Sequence, residues 1–151
     1  FSSRMGTLQT ELLILDKSTH RGGFMNRKYK ILVVDDDPQA LLLMETILRP
    51  CGYDVVTIIS TNRRLAKTVR EEQPDLILLD IMMPMEDSYT VLNELKKEID
   101  VSQIPVVIVS ALDSQKNKDL AKLCGAAAYI TKPVQRAALY GTIESLLPGQ
   151  E

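Results

Sequence analysis

Cysteine is scarce in this chain, histidine scarcer still, and long apolar runs are missing, and each shortage removes a class of protein. The two cysteines, Cys51 and Cys124, lie far apart and match no metal-ligand spacing. They are expected to be reduced, core-like thiols of a cytoplasmic protein rather than a disulfide or a zinc site. The one histidine, His20, falls in an N-terminal stretch without regular pattern and has no credible catalytic partners in sequence. No apolar run approaches the length needed to cross a bilayer, and the first residues lack the charged-then-apolar layout of a signal peptide. A net charge of −2 leaves no basic surplus to attract phosphate backbones, so a protein partner is expected rather than a nucleic acid. Internal repeats and low-complexity tracts are absent too.

What is present is the material of one ordinary globular domain: 151 residues, 45% of them hydrophobic and 25% charged. From Tyr29 onward, short β-rich apolar runs alternate with longer amphipathic stretches. The strand candidates are Lys30–Asp35, Asp54–Ile59, Asp75–Asp80, Pro105–Ser110 and Ala127–Thr131. Between them lie helix candidates at Pro38–Arg49, Asn62–Glu72, Ser88–Ile99, Ser114–Cys124 and Val134–Leu147, with Gly52 and Gly125 placed to stop two of them. Strict βα alternation predicts an α/β fold with a doubly wound parallel sheet and helices on both faces, whose ligands bind outside the carboxyl ends of the strands. The domain spans residues 29–148. Residues 1–28 form an extension of unassigned role with one apolar cluster, Leu12–Leu15, and a Gly22-Gly23 joint, and residues 149–151 are a tail. No output domain follows the fifth helix in the residues read, so output is expected to lie in a partner or in another part of a larger protein.

The polar residues of interest fall at the strand ends. The first strand ends in Asp35-Asp36-Asp37 and the third in Asp80, so carboxylates distant in sequence are expected to converge on one sheet edge. Ionised carboxylates a few ångströms apart repel by roughly 4 kcal/mol per pair at an effective dielectric near 20, unless a proton or cation intervenes. Mg²⁺, which takes hard oxygen ligands and combines carboxylates with phosphate oxygens and water, resolves that conflict. Asp37, directly before Pro38, is better placed as a helix N-cap than as a ligand. The fourth strand ends in Ser110 and the fifth leads into Lys132-Pro133, setting a hydroxyl and an ammonium opposite the acids, a polarity pattern suited to a phosphoryl group. Taken singly, Ser110 reads equally as a turn residue and Lys132 as a solvated loop charge; their shared edge unites them.

VVDDDP, LLDIMMP, VSA and TKP, in this order and at these separations, resemble the receiver domain of two-component response regulators over roughly Tyr29 to Leu147. The resemblance implies a flavodoxin-like five-stranded parallel sheet in the order 2-1-3-4-5. It implies that Asp80 is the phosphoacceptor, that Asp36 and Asp80 coordinate Mg²⁺ (or Mn²⁺ in its place) directly, and that Asp35 acts through metal-bound water. The main-chain carbonyl of Met82 is implied as a further ligand, with Lys132 as the contact to the phosphoryl group. A cis peptide is common in the family at the position of Lys132-Pro133. Ser110 and Tyr129 resemble the family's hydroxyl and aromatic switch pair, although Tyr129 reads equally as an aromatic packing on a sheet edge. A histidine kinase or histidine phosphotransfer protein is the implied donor and a downstream protein or output domain the implied receiver, with a homodimer through the fourth helix, fifth strand and fifth helix also within the family's range.

Departures are few. After Pro84 the family usually has a residue, Met, Asp and Gly, whereas this chain has Met85, Glu86, Asp87 and Ser88. Asp87 and Ser88 are both good caps for a helix starting there, but phosphorylation rate is put in question. Arg63, Arg64, Lys67 and Arg70 read as a solvated helix face, and Met82, Met83 and Met85 as gap-fillers rather than a soft-metal site. Two rival functions share many of these features. One is a pseudo-receiver, a protein-interaction module that is never phosphorylated. The other is a Mg²⁺-dependent phosphohydrolase of the haloacid-dehalogenase type with Asp35 as nucleophile, although the acids left beyond Lys132, Glu144 and Glu151, supply no further metal motif.

Overall fold

Short, nearly all-apolar runs with long amphipathic stretches between them produce five strands and five helices in turn among the described residues. A computed structural model describes residues 28–59, 65–81, 85–98 and 104–147. In chain order these form β1 (Lys30–Asp35), α1 (Pro38–Leu48), a 3₁₀ turn (Arg49–Cys51), β2 (Asp54–Ile59) and α2 (Leu65–Glu72), followed by β3 (Leu76–Ile81) and α3 (Met85–Glu98). The remainder is β4 (Val106–Ser110), α4 (Gln115–Leu123), β5 (Ala128–Thr131) and α5 (Arg136–Leu146). All strands pair in parallel in the order β2-β1-β3-β4-β5.

Interior strands are covered on both faces and so are apolar at nearly every position. Every residue of β4 is buried, and in β1 all but Lys30 are. Odd and even positions feed separate cores. Ile31, Val33, Leu76, Leu78, Val107 and Val109 pack with α1 and α5, and Leu32, Val34, Ile77, Leu79, Val106 and Ile108 pack with α2, α3 and α4. On the first face the Tyr140 hydroxyl of α5 donates to the carbonyl of Ile47 in α1 at 3.2 Å, across 93 positions of sequence.

Helix ends follow local chemistry. Asp37 is the N-cap of α1, its side chain accepting from the Gln39 N–H at 3.0 Å, with Pro38 where a missing N–H is harmless. The α-helix stops at Leu48 instead of Arg49 because Pro50 has no N–H to return to the preceding turn, and a 3₁₀ turn ends on Gly52 at φ 95°. The third helix begins at Met85, three residues before the expected Ser88, so Asp87 and Ser88 lie within its first turns and do not cap it. Acidic residue types near a helix start suit the positive end of its dipole, which favours the longer helix. The fifth helix begins two residues late, at Arg136, because Gln135 is extended as its N-cap. The N-terminal extension, Arg63 and Arg64, and Met82 lie outside the described residues. Among the described residues no helix is long and apolar enough to cross a membrane.

Candidate functional site

Register brings the polar strand ends together. Val34 pairs with Leu79, Ile81 with Ser110, and Ser110 with Thr131, so Asp35, Asp80, Ser110 and Lys132 follow one another across the carboxyl edge of the sheet. The Lys132 N–H donates to the Ser110 carbonyl at 2.8 Å, fixing the turn that carries the ammonium. The Lys132-Pro133 peptide is cis. Asp35 and Asp80 share the parity of the α1–α5 core, while Ser110 shares that of the α2–α4 core, so the acids and the hydroxyl approach the edge from opposite faces of the sheet.

Asp35, Asp80 and Ser110 are the buried polar residues among those described, at 1%, 7% and 0% exposure. The Lys132 ammonium lies 2.7 Å from Oδ2 of Asp80. Oδ1 of Asp80 is buried with no hydrogen-bond partner. Burial, and then the neighbouring Asp35 carboxyl, push Asp80 up to about 7 from an ordinary 3.8, against the lowering effect of Lys132. An acid so placed either keeps a proton at neutral pH or needs more positive charge than one lysine supplies. Asp35 accepts the Asp37 N–H through Oδ1 at 3.0 Å, whereas Asp36 is exposed. Among the described residues no three Asp, Glu, His or Cys side chains gather into a metal-holding group, so the buried acidic unit is the Asp35–Asp80 pair. Met82, expected to offer its carbonyl, is outside the described residues.

Ser110 and Tyr129 meet at a residue that was not singled out. The Leu112 N–H donates to Oγ of Ser110 at 3.0 Å, and the Tyr129 hydroxyl donates to the Leu112 carbonyl through a short bond. Both contacts use Leu112 main-chain atoms, so its residue type carried no signal. Its position two residues after Ser110, where a serine hydroxyl commonly takes a local N–H, was the available clue.

The fold and the edge cluster define an α/β domain of the doubly wound class, with a buried acid pair and a lysine at the carboxyl edge of its sheet, where such folds place their ligands. The model of the response regulator receiver domain matches residues 31–144. Protein PilH of Pseudomonas aeruginosa is 35% identical over 120 residues, 80% of this chain and 98% of that protein. Response regulator PleD of Caulobacter vibrioides is 38% identical over 117 residues, 78% of this chain and 26% of that protein. The chain spans about half of the matching ycf27 transcriptional regulators, for example 49% of the one from Pyropia yezoensis. Among solved structures, the BeF3-activated N-terminal receiver domain of Klebsiella pneumoniae RstA superposes with a TM-score of 0.68 at 35% identity, covering 79% of this chain and 98% of that one. Chemotaxis protein CheY4 of Vibrio cholerae, at 22% identity, shares the fold with a TM-score of 0.71, covering 80% of this chain and all of that one. The chain belongs to the response regulator receiver domain family of two-component signalling proteins.

Proposed function

We propose that Asp80 accepts a phosphoryl group from the phosphohistidine of a histidine kinase or histidine phosphotransfer protein in the cytoplasm, and that the modified domain then engages a partner or output domain. The observation that carries this reading is the state of the Asp80 carboxylate: one oxygen paired with Lys132 at 2.7 Å, the other buried without a hydrogen bond. That orphaned hard oxygen beside Asp35 fits a divalent cation, with Asp36, Asp80 and the Met82 carbonyl as direct ligands, Asp35 acting through water, and Mg²⁺ the expected ion, Mn²⁺ able to replace it. The bound cation would offset negative charge on the phosphoryl oxygens.

In the transfer itself a carboxylate oxygen of Asp80 forms the new P–O bond as the P–N bond of the donor histidine breaks, and the nitrogen retains the electron pair. Lys132, already aligned on Asp80, stays close to the transferring group and balances its charge. Ser110 sits ready to give its hydroxyl proton to a phosphoryl oxygen, which draws Oγ from the Leu112 N–H and loosens the carbonyl that holds Tyr129. A two-position Tyr129 then repacks the surface of α4, β5 and α5, where a partner or a second copy would read the change. Pairing of Lys132 with Asp80 favours Asp80 over Asp35 as the nucleophile, against a haloacid-dehalogenase-type hydrolase.

The test is incubation with Mg²⁺ and acetyl phosphate followed by intact mass. One phosphoryl group is expected on the parent and none on Asp80→Asn. Equal labelling of the two overturns the assignment of Asp80, and no labelling of the parent leaves the pseudo-receiver reading.

A further inference from the structure

Of the two strands at the margins of the sheet, β2 is the longer. It runs six residues against four in β5, and among the described residues its outer side pairs with no other strand. An edge of that length offers a row of unpaired peptide groups to any chain that can lie against it. Successive residues of a strand turn their N–H and C=O groups to opposite sides. The Asp54 N–H donates to the Tyr29 carbonyl at 2.9 Å, so Asp54, Val56 and Ile58 face β1, and Val55, Thr57 and Ile59 present their peptide groups outward.

One of those outward groups is already taken. Nη2 of Arg49 donates to the Val55 carbonyl at 2.9 Å and to Oε2 of Glu45 at 2.8 Å, which uses both hydrogens of that nitrogen, and Nε donates to the same Glu45 oxygen at 3.3 Å. Glu45 lies one turn earlier in α1 and fixes the guanidinium. The 3₁₀ turn that Arg49 opens, closed by Gly52 at φ 95°, brings the chain back to β2 beneath it. A cation at the end of α1 suits the helix dipole wherever it points, but the dipole does not require a donor laid on a β2 carbonyl.

We propose that Arg49 guards the free edge of β2 against the β2 of a second copy of this chain. Two such edges lying antiparallel about Thr57 would match Thr57 with Thr57 and Val55 with Ile59, each pair exchanging both its N–H and its C=O. The Val55 carbonyl of each copy would then have to accept the Ile59 N–H of the other, and Arg49 holds that acceptor. Ile59, 49% exposed, would gain Val55 of the other copy as its cross-strand neighbour, which makes the pairing favourable once the guard is gone. The guard is independent of the phosphoacceptor reading.

Sedimentation velocity on the full chain, over about a hundredfold range of concentration, tests it. Arg49→Met keeps the stem and loses the donors, and Arg49→Ala loses both. Each should move from the parent's mass toward twice that mass as concentration rises. Adding Thr57→Pro, which removes the outward N–H at the centre of the pairing and takes no bond from β1, should return both to the parent's mass. Should Arg49→Ala fail to fold, Arg49→Met decides. Parental mass of folded Arg49→Met across the whole range, with or without a loss of stability, overturns the guard and leaves Arg49 a helix-end cation. Association of Arg49→Met that persists with Thr57→Pro also overturns it, because the contact then lies elsewhere than the β2 edge.

Discussion

The Asp80 carboxyl is caught between a lysine that wants it charged and a buried acid neighbour that wants it neutral. Its pKa in the fold, about 7, exceeds its ordinary 3.8, so between those values the folded chain binds more protons than the unfolded one. By linkage, this group's contribution to stability is fully present below pH 3.8 and is lost as pH rises toward 7. Without divalent cation, urea unfolding at pH 5 and 7.5 should therefore show the parent losing roughly 2–3 kcal/mol relative to Asp80→Asn, at about 1.4 kcal/mol per pH unit. Lys132→Ala removes the lowering influence, so Mg²⁺ should still bind but only at higher pH than in the parent, as read by tyrosine fluorescence or NMR shifts. Parental pH dependence in that variant would remove Lys132 from the electrostatics of the site. Asp35, Asp80, Ser110 and Lys132 were legible in the sequence because a polar residue ending an apolar strand must face the sheet edge. Leu112 was not, since it works through its peptide groups, which every residue type shares.

Elements were readable where punctuation is strong. Asp37-Pro38 and the glycines at 52 and 125 placed the start of α1 and two helix stops. The 3₁₀ turn at Arg49–Cys51 has its signal in Pro50, whereas the cap-like types of Asp87 and Ser88 hide the true start of α3 three positions earlier. At both boundaries capping, dipole and proline effects compete within a single turn, and no one residue type decides the outcome. Asp37 also tests how far helix architecture and site chemistry separate. Asp37→Ala should lower stability by about 1 kcal/mol through loss of the cap. It keeps the main-chain N–H that Asp35 accepts, so Mg²⁺ titration should be unchanged. A large loss of metal affinity would mean that the Asp37 carboxylate belongs to the cation site.

Across the whole molecule, strand alternation is what made the fold legible: each strand must satisfy two cores at once, and only a sheet sandwiched between helices provides them. Strand order was not contained in that pattern and came from the family resemblance. Leu92, fully buried in the core under α2, α3 and α4, reports on how that layer is held. Leu92→Ala should cost about 2–5 kcal/mol in urea unfolding. A loss below 1 kcal/mol would show that this layer closes over the gap.

The bond from Tyr140 to Ile47 ties the last helix to the first, so the layer made by α1 and α5 is braced between distant parts of the chain. On the other side of the sheet, α4 presses a single buried side chain into its layer. One cover of this sandwich is therefore tied across its width by a hydrogen bond between its two helices, whereas in the other α2 and α3 supply most of the buried side chains and α4 supplies Ala121.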